Sequence, residues 1–545
     1  MPNQIDRRLL LKTATLGLGA LALPGGALAA MQAALTVGFS HGVASGEPSQ
    51  RSVLLWTRFV SKAPGSKLRV ELWAEGAPNK IISGGEVTAS PARDHIAKII
   101  VNGLKPDKRY NYRFVAPDGT KSPIGRTKTL PEGEVPKYRM AVFSCSNMPF
   151  GYFNAYAHAN AVDDFDLVVH LGDYLYEYQR GVYPLAKDAV AERLIEPAGE
   201  MIALADYRLR YASYRADPDL QKLHAMHPMI AMWDDHEFAN DAYATGAQNH
   251  HAAEGDWGER KTAAERAYRE WMPVSDRVDE GYWSKYAIGN LAEIQLTESR
   301  VSARSKQLSI GDPQGDADEI MRQLKAFHDG ALQDADRTML GAVQEQWLAK
   351  RFAAPTKRWN IWAQQTIIGA LIQPQGLENW LAPDTLPFVK ERVARGALAA
   401  KAGIPSNMDA WDGYPAARAK ALSAAQAGNA DLIVLTGDTH NAWAFDLSHD
   451  GKPAGVEFAG HSVTSPGLES SFTGTDNATL SEALVTSNPG LVWADAASRG
   501  YMAVELTPDK AVSEWRFTDG IKTRSTNLAG TKRMQTRHGM RKLIR

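Results

Sequence analysis

Two hydrophobic rhythms divide the chain near residue 135. Before that point, RSVLLWTRF (51–59), KLRVELWAE (67–75), HIAKIIVNG (95–103) and RYNYRFVAP (109–117) alternate apolar with polar positions between Gly, Pro, Asp and Asn. A period of two predicts half-buried strands joined by turns. LPEGEVPKY (130–138) then reads as a linker. Beyond it come compact apolar runs: RMAVFS, DLVVHLG, PMIAMW, AEIQLTE, NIWAQQT and DLIVLTG. Helical patterns separate them, among them GERKTAAERAYREW (258–271) and GAVQEQWLAKRF (341–352). Buried strands interleaved with helices predict an α/β fold. The runs end at Cys145, at Asp173, at Asp234-Asp235-His236, near Arg300, and at Asp438 and His440. In such sheets ligands gather beyond the carboxyl ends of the strands. Segments 185–225, 302–335 and 375–425 are too long for plain loops and are expected to add helices or walls around a site.

The two ends of the chain add expectations of their own. Arg7-Arg8-Leu9-Leu10-Leu11-Lys12 precedes an Ala-, Leu- and Gly-rich run from Thr13 to Leu23, broken by Pro24-Gly25-Gly26 and followed by Ala27-Leu28-Ala29. The run is too short to span a bilayer, and the pattern is that of a twin-arginine signal peptide over residues 1–30. It predicts export, already folded, through the twin-arginine translocase to the periplasm or beyond. No later stretch reaches 18 continuous apolar residues, so no transmembrane segment is expected. With 61 Lys and Arg against 62 Asp and Glu, net charge −1, nothing draws the protein to nucleic acid, and no stable nucleic acid partner is expected. The basic end, RMQTRHGMRKLIR, predicts a solvated tail from 521 to 545.

The chemistry lies at the strand ends. Cys145, in FSCSN, is the only cysteine and cannot close an internal disulfide. It is a small buried hydrophobe, an oxidation liability or a ligand. In HLGDYLYEY, Asp173 and Tyr176 face one point if the chain turns helical there. Carboxylate and phenolate are hard donors that suit Fe(III); the alternative is a helix cap beside a packed aromatic. In MWDDHEFAND, Asp234, Asp235, His236 and Glu237 stand together, with Asn240 and Asp241 after them. Such a group at a buried strand end is costly unless a cation is near; the alternative is an acidic helix start. In LTGDTHNAW, Asp438 and His440 are two apart, on one side of an extended strand.

The ordered set Cys145, Asp173-x-x-Tyr176, Asp235-His236-Glu237 and Asp438-x-His440 resembles the metallophosphoesterase pattern, which in purple acid phosphatases reads Asp, GDxxY, GNHE, GHxH. Cysteine replaces the first acid, Asp235 the asparagine and Asp438 a histidine, departures that match the PhoD-type alkaline phosphatase/phosphodiesterases. GVASGEPSQRSVLLWTR, WDGYPAAR, TGDTHNAWAFDL, GVEFAGHSVTSPG and SRGY look like the same family, over residues 38–517. The resemblance implies a four-layer αββα metallophosphoesterase sandwich (136–520). Before it would stand a fibronectin III/Ig-like β-sandwich (36–135), whose corner LKPDKRYNYRF fits. It implies Fe(III) with two Ca(II), and hydrolysis of small-molecule or polymeric phosphate mono- and diesters by metal-activated hydroxide. Cys145, Asp173 and Tyr176 would anchor iron, with His440 a further candidate; Asp235, Asn240 and Asp438 are calcium-type donors. His236 would protonate the leaving group or bind phosphate, and Asn147 and Arg300 would contact phosphate or orient ligands. Where the family has Asp-Thr-Arg, this chain has Glu298-Ser299-Arg300, so Glu298 is assigned no metal. Three other readings are a dedicated phosphodiesterase, phospholipase D-like or degrading teichoic or nucleic acid, a non-catalytic metal-containing surface protein, and a haloperoxidase or other redox role for the iron.

Overall fold

The computed structural model describes residues 36–545 apart from 79, 277–280, 383, 384 and 386. The expected signal peptide lies outside the described residues.

Two large sheets form the centre. In the first, Tyr138–Phe143, Leu167–His170, Pro228–Ala231 and Val43–Gly46 run parallel as neighbours. In the second, Ala292–Leu296, Trp359–Ala363, Leu432–Thr436 and Lys452–Ala459 do the same. Alternation along each strand decides its two contacts. Ile361 and Ile433 point into the cluster shared with Val142, Val169 and Ile230 of the other sheet. Trp362 and Val434 point outward, against Leu348 and Phe352 of the helix Ala342–Ala353 and Ala417 and Leu422 of the helix Pro415–Ala427. Tyr156, Tyr211, Leu223 and Ala267 pack four further helices, Asn154–Val162, Leu204–Arg215, Pro218–Met226 and Trp257–Trp271, against the first sheet. Strands buried on both faces are why these segments read as unbroken apolar runs, and the result is the expected αββα layering. Helix starts follow local chemistry: Asp256 accepts from the Glu259 N–H at 3.0 Å, and Asp217 caps a helix opening on Pro218.

The N-terminal strands form a sandwich around Val53, Leu55, Leu68, Val70, Tyr112 and Phe114. One of its sheets is Ser83–Ala89, Ser66–Ala74, Arg109–Val115 and Gly125–Lys128. The other, Val43–Gly46, Ser52–Arg58 and Ile96–Asn102, is continuous with the first central sheet through the pairing of Ser45 with Pro228 and Gly46 with Met229. The expected linker is a packed connection, with Leu130 and Val135 buried. The expected solvated tail is likewise corrected. Leu528–Arg537 is the edge strand of the first sheet, paired along Lys510–Thr518, with Met534 and Leu543 buried. Alternation explains it: Arg533 and Arg537 take outer positions while Lys532, half-buried over the Trp493 ring, Met534 and Thr536 share the other face.

Candidate active site

The loops leaving the parallel strands converge on one cleft of about 470 Å³, lined by Asp173, Asp235, His236, Asn240, Asp241 and Asp438, with His440 and an apolar wall beyond. Backbone geometry aims the donors. Cys145, Asp173, Asp241, Asp438 and His440 all have left-handed φ, between 51° and 65°, a conformation that costs energy and gathers at functional sites. The helix expected after Asp173 is absent: Asp173 sits in a turn, and that turn brings the Tyr176 hydroxyl to within 3.1 Å of its carboxylate. Asp438 and His440 are both left-handed and follow the strand after it has ended at Thr436, so they do not lie along an extended strand, and they enter different donor groups. Nor does an α-helix start at Asp234. Gly172 has φ 101°, and a Cβ there would lie 2.3 Å from that of Asp234, so only glycine lets the two acidic loops touch.

Three groups of donors result: Cys145, Asp173 and His440; Asp173, Asp235 and His236; Asp234, Asp235 and Asp438. Within each group the ligand atoms lie within 4.8 Å of one another. Tyr176 joins the first, its hydroxyl 3.2 Å from His440 Nε2 and receiving a hydrogen bond from Ser465 Oγ at 2.7 Å. A carbonyl only accepts, so the 2.8 Å contact of His440 Nδ1 with the Pro466 carbonyl puts the ring proton on Nδ1. Nε2 then presents its lone pair to the cluster, as a metal-binding imidazole does. Burial pushes His440 down to about 3, so it stays neutral.

The electrostatics call for cations. Burial, with neighbouring carboxylates, drives Asp173 and Asp438 well above the ordinary carboxylate range and Asp241 to about 7. Burial and Asp173 raise the Cys145 thiol in the same way. Asp235 goes the other way, to about 2; burial opposes ionisation there, but Arg300 and His236 outweigh it. The buried oxygens Asp173 Oδ1 and Asp234 Oδ2 have no hydrogen-bond partner. Orphaned carboxylate oxygens beside a thiol, a phenol and a neutral imidazole form a donor set able to hold metal ions.

Several further side chains have partners that bear on the roles expected of them. Arg300 is fully buried, and its guanidinium is engaged by Asp234, Asp409 and Asp438. It clamps carboxylates, one of the roles expected of it. Replacing Arg300 with Met is expected to cost about 3–5 kcal/mol by leaving those buried charges without a partner, read as a lower urea midpoint in chelator-treated protein. Asn147 is off the cleft wall; its Nδ2 donates to the Tyr183 carbonyl at 3.4 Å. Asn240 lines the cleft, and its Nδ2 donates to Gln248 at 3.0 Å. Glu237 accepts from the backbone N–H groups of Asp173, Tyr174 and Asp234 at 3.1, 2.6 and 2.8 Å and so ties the two acidic loops together. Glu298, left unassigned above, accepts from the N–H groups of Arg300, Val301 and Ser302 and shapes the turn behind the cleft. Three acids were given no individual role in the sequence analysis. Asp409 also accepts from Arg304 and Gln307 at 2.8 and 2.6 Å. Asp234 completes the third donor group. Glu177 accepts from His236 Nδ1 at 2.7 Å. Its one local signal is its place four residues after Asp173.

The chain is similar to known proteins over most of its length. Residues 140–515 match the model of the PhoD-like phosphatase family, and residues 26–131 that of the PhoD-like phosphatase, N-terminal domain. The chain is 32% identical over 499 residues to Alkaline phosphatase D of Bacillus subtilis (strain 168), a match spanning 88% of this chain and 77% of that relative. The solved structure of PhoD superposes with a TM-score of 0.76 at 28% identity, over 93% of this chain and 92% of that one. Matches of this extent over both the sandwich and the αββα layers place the chain in the PhoD-like phosphatase family, as a phosphoric ester hydrolase.

Proposed function

We propose that the protein is an exported, metal-dependent alkaline phosphatase and phosphodiesterase acting on phosphate mono- and diesters. One observation carries the reading: three donor groups linked through Asp173 and Asp235 meet at a single cleft, where burial disfavours the charges of Asp173 and Asp438 unless cations are present. In this reading Cys145, Asp173, Tyr176 and His440 hold Fe(III), because thiolate and phenolate are stabilised by a strong Lewis acid. Asp235, Asn240 and Asp438, with Asp173 and Asp234 beside them, offer the hard oxygens that suit two Ca(II). When bound, the cations supply Lewis-acid chemistry, neutralising charge on the phosphoryl oxygens and lowering the pKa of a water.

The chain's own groups do the rest. His440 stays neutral and fixed by the Pro466 carbonyl. Arg300 bridges Asp234 and Asp438 and holds both in place. His236 Nδ1 is engaged by Glu177, so Nε2 is the nitrogen available to give a proton to the departing ester oxygen. The twin-arginine pattern at Arg7 and Arg8 supports export of the assembled protein. Among the described residues, no helix is long and apolar enough to cross a membrane.

Elemental analysis of protein purified without chelators, paired with rates on p-nitrophenyl and bis-p-nitrophenyl phosphate, tests the reading. Iron with calcium in excess, and turnover of both esters, are expected. Zinc or manganese without iron overturns the cofactor assignment, and a metal-replete protein without turnover overturns the enzymatic one. EDTA is expected to remove most of the activity, with added calcium restoring it; full activity after exhaustive chelation counts against calcium.

A further inference from the structure

Beyond the donors the cleft changes character. Its far half is walled by Ile367, Leu371, Val393, Trp443, Phe472 and Leu484. All six are buried and belong to the outer apolar core that also holds Trp362 and Val434. The loop after the strand Trp359–Ala363 carries Ile367, Leu371 and the half-buried Ile372. The helix Asn477–Ser487 carries Leu484. Trp443 stands on the strand Ala442–His449, and its Nε1 donates at 2.7 Å to the hydroxyl of Thr439, the residue between Asp438 and His440. The apolar wall therefore begins where the donors end.

Polar anchors fix this wall. The Ile368 and Gly369 N–H groups donate to the buried Glu457 carboxylate at 3.0 and 2.7 Å, and the Leu371 N–H donates to Asp412 at 2.7 Å. The Ile372 N–H donates to Asn488 Oδ1 at 2.6 Å, and Asn488 Nδ2 returns a hydrogen bond to the Ile372 carbonyl at 3.0 Å. Asn488 directly follows the helix that carries Leu484, so loop and helix are tied to each other. A wall held this way loses little binding energy to ordering when a ligand enters. Among the described residues, Arg392 is the one arginine or lysine that lines the cleft. A polyanion running past the donors would need a row of such cations.

We infer that the far half of the cleft is a subsite for an apolar organic group carried by the phosphate ester, so that esters with alkyl arms are bound in preference to polyol phosphates and nucleic acid. The inference deepens the phosphoesterase reading, on which it rests for the seat of the phosphate. Alkyl phosphonates, which carry a single arm and are not hydrolysed, are the probes. Calorimetric titration of the metal-replete protein with methyl, propyl and pentyl phosphonate is expected to show affinity rising about fourfold per methylene. The heat-capacity change of binding should grow more negative along the series. Dihydroxypropyl phosphonate is expected to bind about tenfold more weakly than propyl phosphonate, because its hydroxyls lose water without gaining partners. Ile372→Asn, at a half-buried position on the wall, is expected to weaken pentyl phosphonate about tenfold and so to flatten the series.

Equal affinities along the series, or a dihydroxypropyl arm held as tightly as propyl, overturn the inference. Turnover of p-nitrophenyl phosphate by the same protein then leaves the phosphoesterase reading intact. A metal-replete protein that hydrolyses no phosphate ester overturns that reading itself, whatever the phosphonates do. If Ile372→Asn does not fold, Leu468→Asn takes its place, at another partly buried position on the same wall. A full wild-type gain with chain length in the folded variant overturns the inference.

Discussion

Asp173→Asn is expected to lower kcat about a thousandfold while making the metal-free protein more stable. Asp173 is common to two of the three donor groups, and one of its oxygens is buried without a partner. An amide keeps the shape but donates a neutral oxygen, weakening two cation sites at once. If the cations supply several kcal/mol of charge stabilisation in the transition state, losing about 4 kcal/mol corresponds to roughly three powers of ten. In the metal-free protein the sign reverses. Asp173 is crowded by Asp234, Asp235 and Glu237 in a buried setting that raises its pKa well above the ordinary range, so a neutral isostere relieves repulsion. Calorimetry with and without metal checks both halves. The variant should unfold at a higher temperature than wild type after chelation, and gain less than wild type from added metal. A variant that keeps wild-type turnover would remove Asp173 from the centre.

Cys145→Ser is expected to strip the protein of iron and lower activity at least about a hundredfold, the upper end of what changes outside the ligand shell cost. Serine fits the space of the fully buried thiol, and the Cys145 backbone, which accepts from Thr464 and donates to the Gly172 carbonyl at 3.2 Å, is untouched. The fold should therefore survive. A hydroxyl gives up its proton far less readily than a thiol, so the soft anionic donor is lost. The readout is iron per chain together with the visible absorption expected of thiolate and phenolate on a ferric ion. Full iron and full activity in Cys145→Ser would leave the thiol as packing alone.

Much of this site is written in local sequence because buried parallel strands are spelled as unbroken apolar runs. Where RMAVFS, DLVVHLG, PMIAMW and DLIVLTG stop, the next polar residue stands at a carboxyl end of the sheet, and Cys145, Asp173, Asp235 and Asp438 are found by reading those stops. Sequence spacing misleads once the chain leaves the strand. Asp173 reaches Tyr176 without a helix, and Asp438 and His440, both left-handed, go to different donor groups and not to one side of an extended strand. A single positive φ redirects a side chain without leaving a repeating pattern behind it. The tail shows the opposite error: LAGTKRMQTR buries only two residues, Met534 and Thr536, and its charge masks an edge strand.

The chain alone settles the class of fold, the order of the strands that end in chemistry, and the kinds of donor they carry, since each is a property of neighbours along the backbone. Tertiary structure decides which donors share a cation and which charges serve only to hold them. Arg300 reaches Asp234, Asp409 and Asp438 across 66, 109 and 138 residues of sequence, and Glu177 reaches His236 across 59. Whether an arginine meets phosphate or carboxylates, and whether a glutamate is solvated or fixes an imidazole, depends on the dielectric and the partners created by folding. Those are set by packing between segments that carry no record of one another.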